Sequence, residues 1–290
     1  PLEAYVKERK DAHLLIEDFM LLANKEVALY MHPPLAPPKG GKVTPSEVGK
    51  TGAEIPFIFR VHDLPDMGKV ADFARFAAEL GHPIKVDTPD QIAKAFNELM
   101  HAARKDERLK LLEPLAIRTM AKAVYSTDNI GHYGLGFSHY SHFTSPIRRY
   151  SDVLAHRILE RNLNGKTYRV DKSKLEEQCK HISSQERKAA DAERESIKYK
   201  QAEFVKNHIG ETFEGVVSGI IERGFFVELK DSKAEGLVEF KYLDDVYTIE
   251  EGNLSASGRR YKKQIRMGDK LKVKIAAVDL QKRQIEMEMV

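Results

Sequence analysis

His132-Tyr-Gly-Leu-Gly-Phe-Ser-His-Tyr-Ser-His-Phe-Thr-Ser-Pro-Ile-Arg-Arg-Tyr-Ser-Asp-Val-Leu-Ala-His-Arg157 decides how the chain is read. Its first half is a glycine-tolerant strand or loop carrying aromatics and histidines. Its second half opens a helix: Ser145 suits the N-cap and Pro146 the first helical position, where a missing N–H costs nothing. Ile147, Tyr150, Val153, Leu154, Ile158 and Leu159 then recur at helical spacing, and Asn164-Gly165 marks the stop.

A helix dipole favours acids in the first turn, yet Arg148 and Arg149 stand there. Two readings are open. The N–H groups of a helix start and two guanidiniums together make a phosphate site. Alternatively both arginines pair with a carboxylate such as Asp152, as structural ion pairs often do.

The order His-Tyr-Gly-Leu-Gly-Phe, Tyr-Ser-His-Phe-Thr-Ser-Pro-Ile-Arg-Arg-Tyr-Ser-Asp, then His-Arg resembles the late signature of the ribonuclease II / ribonuclease R (RNB) family of exoribonucleases, closer to the ribonuclease R wording. Gly136-Phe137-Ser138-His139 departs from the family, which more often has small and apolar residues with an acid there. The departure touches the approach to the signature and leaves its arginines in place. The resemblance implies hydrolysis of single-stranded RNA from the 3′ end by metal-assisted phosphodiester cleavage. In that reading Arg148 neutralises the phosphate during transfer. Tyr140, His142, Ser145 and Arg149 are implied RNA contacts.

Other segments match the same family. Asp11 to Met31 reads as a long amphipathic helix with Leu15, Phe19, Leu22, Ala23 and Val27 on its apolar side, stopped by Pro33-Pro34. Its Ile-Glu-Asp-Phe-Met-Leu-Leu-Ala-Asn run is similar to the family's helix beside the RNA channel, which puts Glu17 near the terminal nucleotide and Asn24 on the same wall. Pro33 to Pro56 has no periodicity and reads as a surface loop insertion. Arg60-Val61-His62 repeats the family's arginine–histidine pair, so Arg60 is an implied RNA contact and His62 a weaker one; a lone histidine at a strand end is more often structural. Helices are expected over Lys69–Leu80, Thr88–Ala103 and Leu109–Ala123, with the charged run from Arg104 as a solvated face. Lys172 to about His208 supports one long helix with Leu175, Cys179, Ile182, Ala189 and Ala190 along its apolar side. By similarity to the family's terminal helix, Glu193 closes the active site near the scissile phosphate; on the residues alone it is a surface partner in a charged helix.

Beyond Gly210 the pattern changes to short alternating strands with turn glycines, which suggests a small closed barrel of the OB type. Arg223-Gly-Phe-Phe-Val and the glycines around it are similar to the S1 RNA-binding domain. In such a barrel aromatic faces stack on bases while cations follow the backbone. Phe213, Arg223, Phe225 and Phe226 are the candidates. Alternation places Phe225 and Phe226 on opposite faces, so one is core and only the other is a platform.

Composition sets the bounds. At 290 residues and 42% hydrophobic, the chain holds about two domains with real cores. No apolar run reaches the length of about 18 residues that a membrane span needs, and membrane is not an expected partner. The single cysteine, Cys179, lies in a polar run, so no internal disulfide is possible and a helix-surface or half-buried thiol is expected; a reducing cytoplasm fits. The net charge of +3 does not announce nucleic acid. From Val205 onward acids and bases balance, but Arg259, Arg260, Lys262, Lys263, Arg266, Lys270, Lys272 and Lys274 cluster late, a one-sided basic face.

The expected architecture is α+β. Residues 1–204 form the helix-rich C-terminal part of an RNB catalytic domain, with the 33–56 insertion, and residues 205–290 form an S1 barrel. The resemblance implies magnesium in the complete enzyme, held by an aspartate cluster upstream; no Asp-x-Asp-Asp arrangement occurs here, and no metal ligand is assigned in this chain. The expected partners are single-stranded RNA and the upstream half of the same catalytic domain, without which the chain is expected to be inactive. A rival reading is an RNA-binding protein that keeps the channel and barrel without hydrolysis.

Overall fold

The computed structural model describes residues 10–31, 55–79, 81–103, 109, 112–163, 168–250 and 255–290. The inserted loop up to residue 54, the charged run from Arg104 and the expected stop at Asn164-Gly165 lie outside them. The chain divides into two compact units, one running up to Lys188 and the other from Ala189 to Val290.

In the first unit the helices are α1 (Asp11–Met31), α2 (Met67–Glu79), α3 (Pro89–Ala103), α4 (Leu112–Thr119) and α5 (Tyr150–Arg161). The strands β1 (Phe59–Val61) and β2 (Val124–Ser126) pair antiparallel, with Arg60 opposite Tyr125. α6 (Lys172–Lys206) belongs to this unit up to Lys188. No glycine or proline interrupts α6, and the Asp171 carboxylate caps it by accepting the Ser173 and Lys174 amides at 2.9 and 3.2 Å. Asp66 caps α2 in the same way.

Two apolar clusters hold the unit. One is built by α2, α3 and α4 around Phe73, Phe96, Leu99 and Leu112. The other gathers Ala28 and Met31 of α1, Phe57 to Phe59, Tyr125, Leu154 and Ile158 of α5, and Leu175 and Cys179 of α6. The signature rests on this second cluster.

Four expectations change here. α5 begins at Tyr150, not at Ser145-Pro146, and Ile147 is fully exposed; residues 146–148 form a turn, and of the expected stripe only Leu154 and Ile158 are buried. On α1 the buried positions are Asn24, Ala28 and Met31, while Leu15, Phe19 and Leu22 are exposed, because only the C-terminal half of that helix packs on the cluster. Cys179 is fully buried rather than at the surface, since the α6 face bearing Leu175 and Ser183 packs inward there. Ala189 and Ala190, expected on that same face, are exposed.

In the second unit β3 (Thr212–Ile221), β4 (Gly224–Leu229), β5 (Glu235–Glu239), β9 (Lys270–Asp279) and β10 (Gln284–Met289) close a five-stranded barrel in the order β10-β5-β4-β3-β9. Val217, Phe225, Val227, Val273, Ile275 and Met287 fill it, and Ala202 and Val205 at the end of α6 join its core. Closure brings backbones close at Gly224, where a Cβ would stand 2.2 Å from the Val238 carbonyl oxygen. A separate three-stranded sheet, β6 (Tyr247–Ile249), β7 (Ser255–Gly258) and β8 (Gln264–Arg266), lies between β5 and β9 in sequence and was not expected.

Candidate nucleic-acid interface

The signature segment of residues 138–149 is irregular, so side chains fix it. Asn24 is the first. Its Oδ1 accepts the Phe143 and Thr144 amides at 2.8 and 3.2 Å, and its Nδ2 donates to the Tyr140 hydroxyl at 3.1 Å. On the backbone, the Arg60 amide donates to the Tyr140 carbonyl at 2.9 Å, and Ser141 Oγ donates to the Ile58 carbonyl at 2.6 Å. His156 of α5 donates from Nε2 to the Phe143 carbonyl at 2.8 Å while its ring stacks on Phe143 at 3.9 Å.

Asp152 holds the next turn. Fully buried, it accepts the Ser145 amide at 2.8 Å, Arg149 through Nε and Nη2 at 2.9 Å each, and Ser151 Oγ at 3.0 Å. A carboxylate so placed ties the Ser145 end of the turn back to α5, whose N-cap position, Arg149, has no side-chain cap. It also divides the two arginines. Arg149 is the paired one, whereas Arg148 is exposed and has no ion-pair partner among the described residues. An unpaired guanidinium beside a fully exposed Ile147 is free to bind a phosphate through two parallel N–H bonds.

Behind this turn runs a buried polar web. Arg60 is 14% exposed, bonds Glu186 at 2.6 Å and lies 4.7 Å over the Tyr125 ring. The Tyr125 hydroxyl is 2.7 Å from His142 Nδ1, and His142 meets the Tyr140 ring edge-on at 5.7 Å. Burial, then the charges of Arg149 and Arg60, pushes His142 down to about 3. Burial and the neighbouring His62 push His132 down to about 4, and His132 Nδ1 is buried with no hydrogen-bond partner among the described residues. His62 is structural: Nε2 donates to the Ala121 carbonyl at 2.7 Å and Nδ1 accepts the Gly134 amide at 2.8 Å. Neutral imidazoles here spare the web further positive charge beside two arginines.

Thus Asn24, Arg60, Tyr140, His142, Ser145 and Arg149 fall in one connected cluster, but as a frame. Tyr140 is buried, and the Arg60 guanidinium is engaged from two sides. Glu17 is half-buried on α1. Glu193 is exposed, on the stretch of α6 that belongs to the barrel unit. Residue patterns missed Glu186, which lies 126 positions from Arg60. They missed Glu176 as well, whose carboxylate accepts the Thr127 amide and hydroxyl at 2.7 and 2.8 Å. Spacing gives no sign of either.

No group of three His, Cys, Asp or Glu residues converges on a metal-sized site among the described residues. Asp152, the buried acid nearest the arginines, already has its oxygens occupied by four donors. The described residues therefore do not fit a magnesium centre.

On the barrel, Phe225 is the core member of its pair, with no exposure. Phe226 faces outward over Gly219 and is half-buried, and Arg223, in the turn between β3 and β4, is exposed. Phe213 packs partly on the core and meets His208 edge-on. Of the four barrel candidates, Phe226 is the outward-facing ring and Arg223 the exposed cation.

The RNB domain model matches residues 1–165 and the S1 RNA binding domain model matches residues 206–289. Ribonuclease R of Aquifex aeolicus is 38% identical over the whole chain, which covers 39% of that protein. Ribonuclease R 1 of Lactococcus lactis is 33% identical over 99% of the chain and 33% of its own length. Among solved structures, Mycoplasma genitalium RNase R superposes with a TM-score of 0.81 at 27% identity, covering 98% of this chain and 42% of that one, both in its apo form and in complex with ribose methylated single-stranded RNA. A domain with the RNB signature, followed by an S1 barrel, defines a class of ribonuclease R-like chains. This chain belongs to the RNB family, and it spans less than half the length of these relatives.

Proposed function

We propose that this chain is the RNA-channel and S1 part of a 3′-to-5′ exoribonuclease that hydrolyses single-stranded RNA to nucleotides in the cytoplasm. The observation that carries the reading is the division of labour between adjacent arginines: Asp152 neutralises Arg149, and Arg148 stands exposed with no ion-pair partner among the described residues. Arg148 donates to the non-bridging oxygens of the terminal phosphate as charge develops during attack by water. Glu17 contacts the terminal nucleotide, and Glu193 borders the scissile phosphate in this reading. Residues 1–204 supply the catalytic-domain part and residues 205–290 the S1 barrel. Magnesium in the complete enzyme is held by acids outside this chain, in the upstream half of the same catalytic domain, which is the chain's expected protein partner. The names of its relatives and the RNA-bound structure of one of them support this assignment.

The test is magnesium-dependent release of nucleotides from a 3′-overhang RNA, comparing this chain with a protein that also carries the upstream half. Activity in the longer protein only is expected. Degradation by this chain alone, abolished by Arg148→Ala, would place the metal site within it. RNA binding without degradation by either protein would make it a non-hydrolytic RNA binder.

A further inference from the structure

The hairpin between β7 and β8 has no role in the site above. Residues 259–263, Arg259-Arg-Tyr-Lys-Lys263, put four cations and one tyrosine into five consecutive positions, all exposed. None of the four cations has an ion-pair partner among the described residues; Arg259 alone makes a side-chain bond, from Nε to Thr248 Oγ1 at 3.2 Å. The Arg260 guanidinium lies 5.2 Å from the Tyr261 ring centre, and that ring remains 60% exposed.

This tip is held in shape. Asp245 accepts the amides of Val246, Arg260 and Tyr261 at 2.7, 2.9 and 2.8 Å, and Gly258 bonds across the loop to the Lys263 carbonyl at 2.9 Å. A Cβ at Gly258 would stand 2.4 Å from Asp245 Oδ2, so the glycine makes room for the carboxylate. These amide bonds, that of Tyr261 first, with the Arg260 charge as a lesser contribution, hold Asp245 below the usual carboxylate range, and its hydrogen bonds are made to backbone amides. The cations are thereby presented together on a backbone that these bonds hold in place.

From this arrangement we infer that the hairpin tip is a second single-stranded RNA contact, separate from the Phe226–Arg223 face of the barrel. A base stacks on Tyr261 while Arg259, Arg260, Lys262 and Lys263 follow successive phosphates. Cations alone would suit any polyanion. The exposed ring among them selects for a nucleic acid, because every base has a face to stack on an aromatic. The inference rests on the RNA-binding reading above and extends it to a surface outside the barrel strands.

The test measures anisotropy of fluorescein-labelled oligouridylate with the 290-residue chain at several salt concentrations. Tyr261→Ala is expected to weaken binding by about 5- to 100-fold, with Tyr261→Phe close to wild type. Arg260→Gln, Lys262→Gln and Lys263→Gln together are expected to reduce the slope of log K against log salt by about 2, at roughly 0.7 per lost phosphate contact on a single strand. Thermal unfolding is expected to stay at the wild-type temperature in each variant, since the residues are exposed. Photo-crosslinking through 5-iodouracil should label the peptide holding Tyr261. Full affinity in Tyr261→Ala, with binding lost in Phe226→Ala, would overturn the second contact and leave RNA binding on the barrel face. Displacement by polyglutamate with no effect of Tyr261→Ala would overturn it in favour of an acidic protein partner. No RNA binding by the wild-type chain would overturn both readings.

Discussion

Asp152 and Arg149 form a two-pronged ion pair, each of two carboxylate oxygens taking one guanidinium N–H at 2.9 Å, with the acid fully buried and the arginine 19% exposed. Arg148, one residue earlier, makes no such pair among the described residues. The two arginines should therefore separate in a stability measurement. Asp152→Ala leaves a nearly buried guanidinium and the Ser145 amide without their acceptor, and should destabilise the first unit by about 3–5 kcal/mol. Arg148→Ala removes only an exposed side chain and should stay within about 0.5 kcal/mol of wild type. Urea unfolding followed by circular dichroism checks both; equal losses would show that Arg148 too has a structural load.

Acid should loosen the same region. His142 and His132 are pushed down to about 3 and about 4 from an ordinary 6.5, so the folded state keeps both neutral while the unfolded chain protonates them. The unfolded state then binds more protons between pH 6.5 and 4, and stability falls as pH falls through that window; above it the contribution is fully present. His142→Gln keeps a polar group near Tyr125 but removes one titration, so its stability should depend less steeply on pH there. An unchanged slope would mean that His142 is not held neutral.

Much of this organisation was legible. The 21-residue α1, the uninterrupted α6 and the five barrel strands follow from apolar periodicity, absent breakers and turn glycines. α5 starts later than Ser145 and Pro146, both good N-terminal residues, suggest: residues 146–148 close a turn in which the Arg148 and Arg149 amides donate to the Ser145 carbonyl, and Asp152 ties the Ser145 amide back to the helix. Which of Phe225 and Phe226 points inward was open because both fit a strand; only closure with β3 and β5 chooses. The β6–β8 sheet went unseen because its strands are three or four residues long, too short for alternation to register. Arg60 with Glu186 and Tyr125 with His142 are tertiary contacts that no local pattern encodes.

The buried thiol of Cys179 offers a simple probe. It has no exposure, and burial followed by the charge of Glu176 pushes it up to about 12. A thiol without thiolate character and without access is inert. Ellman's reagent should leave the native chain unmodified and react with one equivalent once the first unit unfolds. Prompt reaction under native conditions would show that α6 opens locally near Leu175 and Cys179.

Gly224 tests barrel closure. Its Cα faces the Val238 carbonyl so closely that an added methyl would stand 2.2 Å from the oxygen and 2.8 Å from the Glu239 Cα, both backbone atoms. Neither moves without separating β4 from β5. Gly224→Ala should cost about 1–3 kcal/mol or more in the barrel unit and lower its thermal transition. Gly219→Ala, where the nearest heavy atom is the Phe226 ring at 3.8 Å, is the matched control and should be tolerated.

The strongest test of the catalytic reading concerns Arg148 in the longer protein. If its guanidinium is needed most when charge develops on the phosphate, Arg148→Ala should slow single-turnover hydrolysis by about 100- to 1,000-fold, as loss of one such donor does elsewhere. RNA affinity should change by less than about fivefold, because ground-state binding is shared with other contacts along the channel and barrel. Arg148→Lys should restore only part of the rate, since an ammonium lacks the planar pair of donors. Arg149→Ala should behave differently, losing stability through the uncompensated Asp152 charge along with activity. Equal losses of rate and affinity in Arg148→Ala would make it a binding residue and remove the reason for assigning the chemistry to this turn.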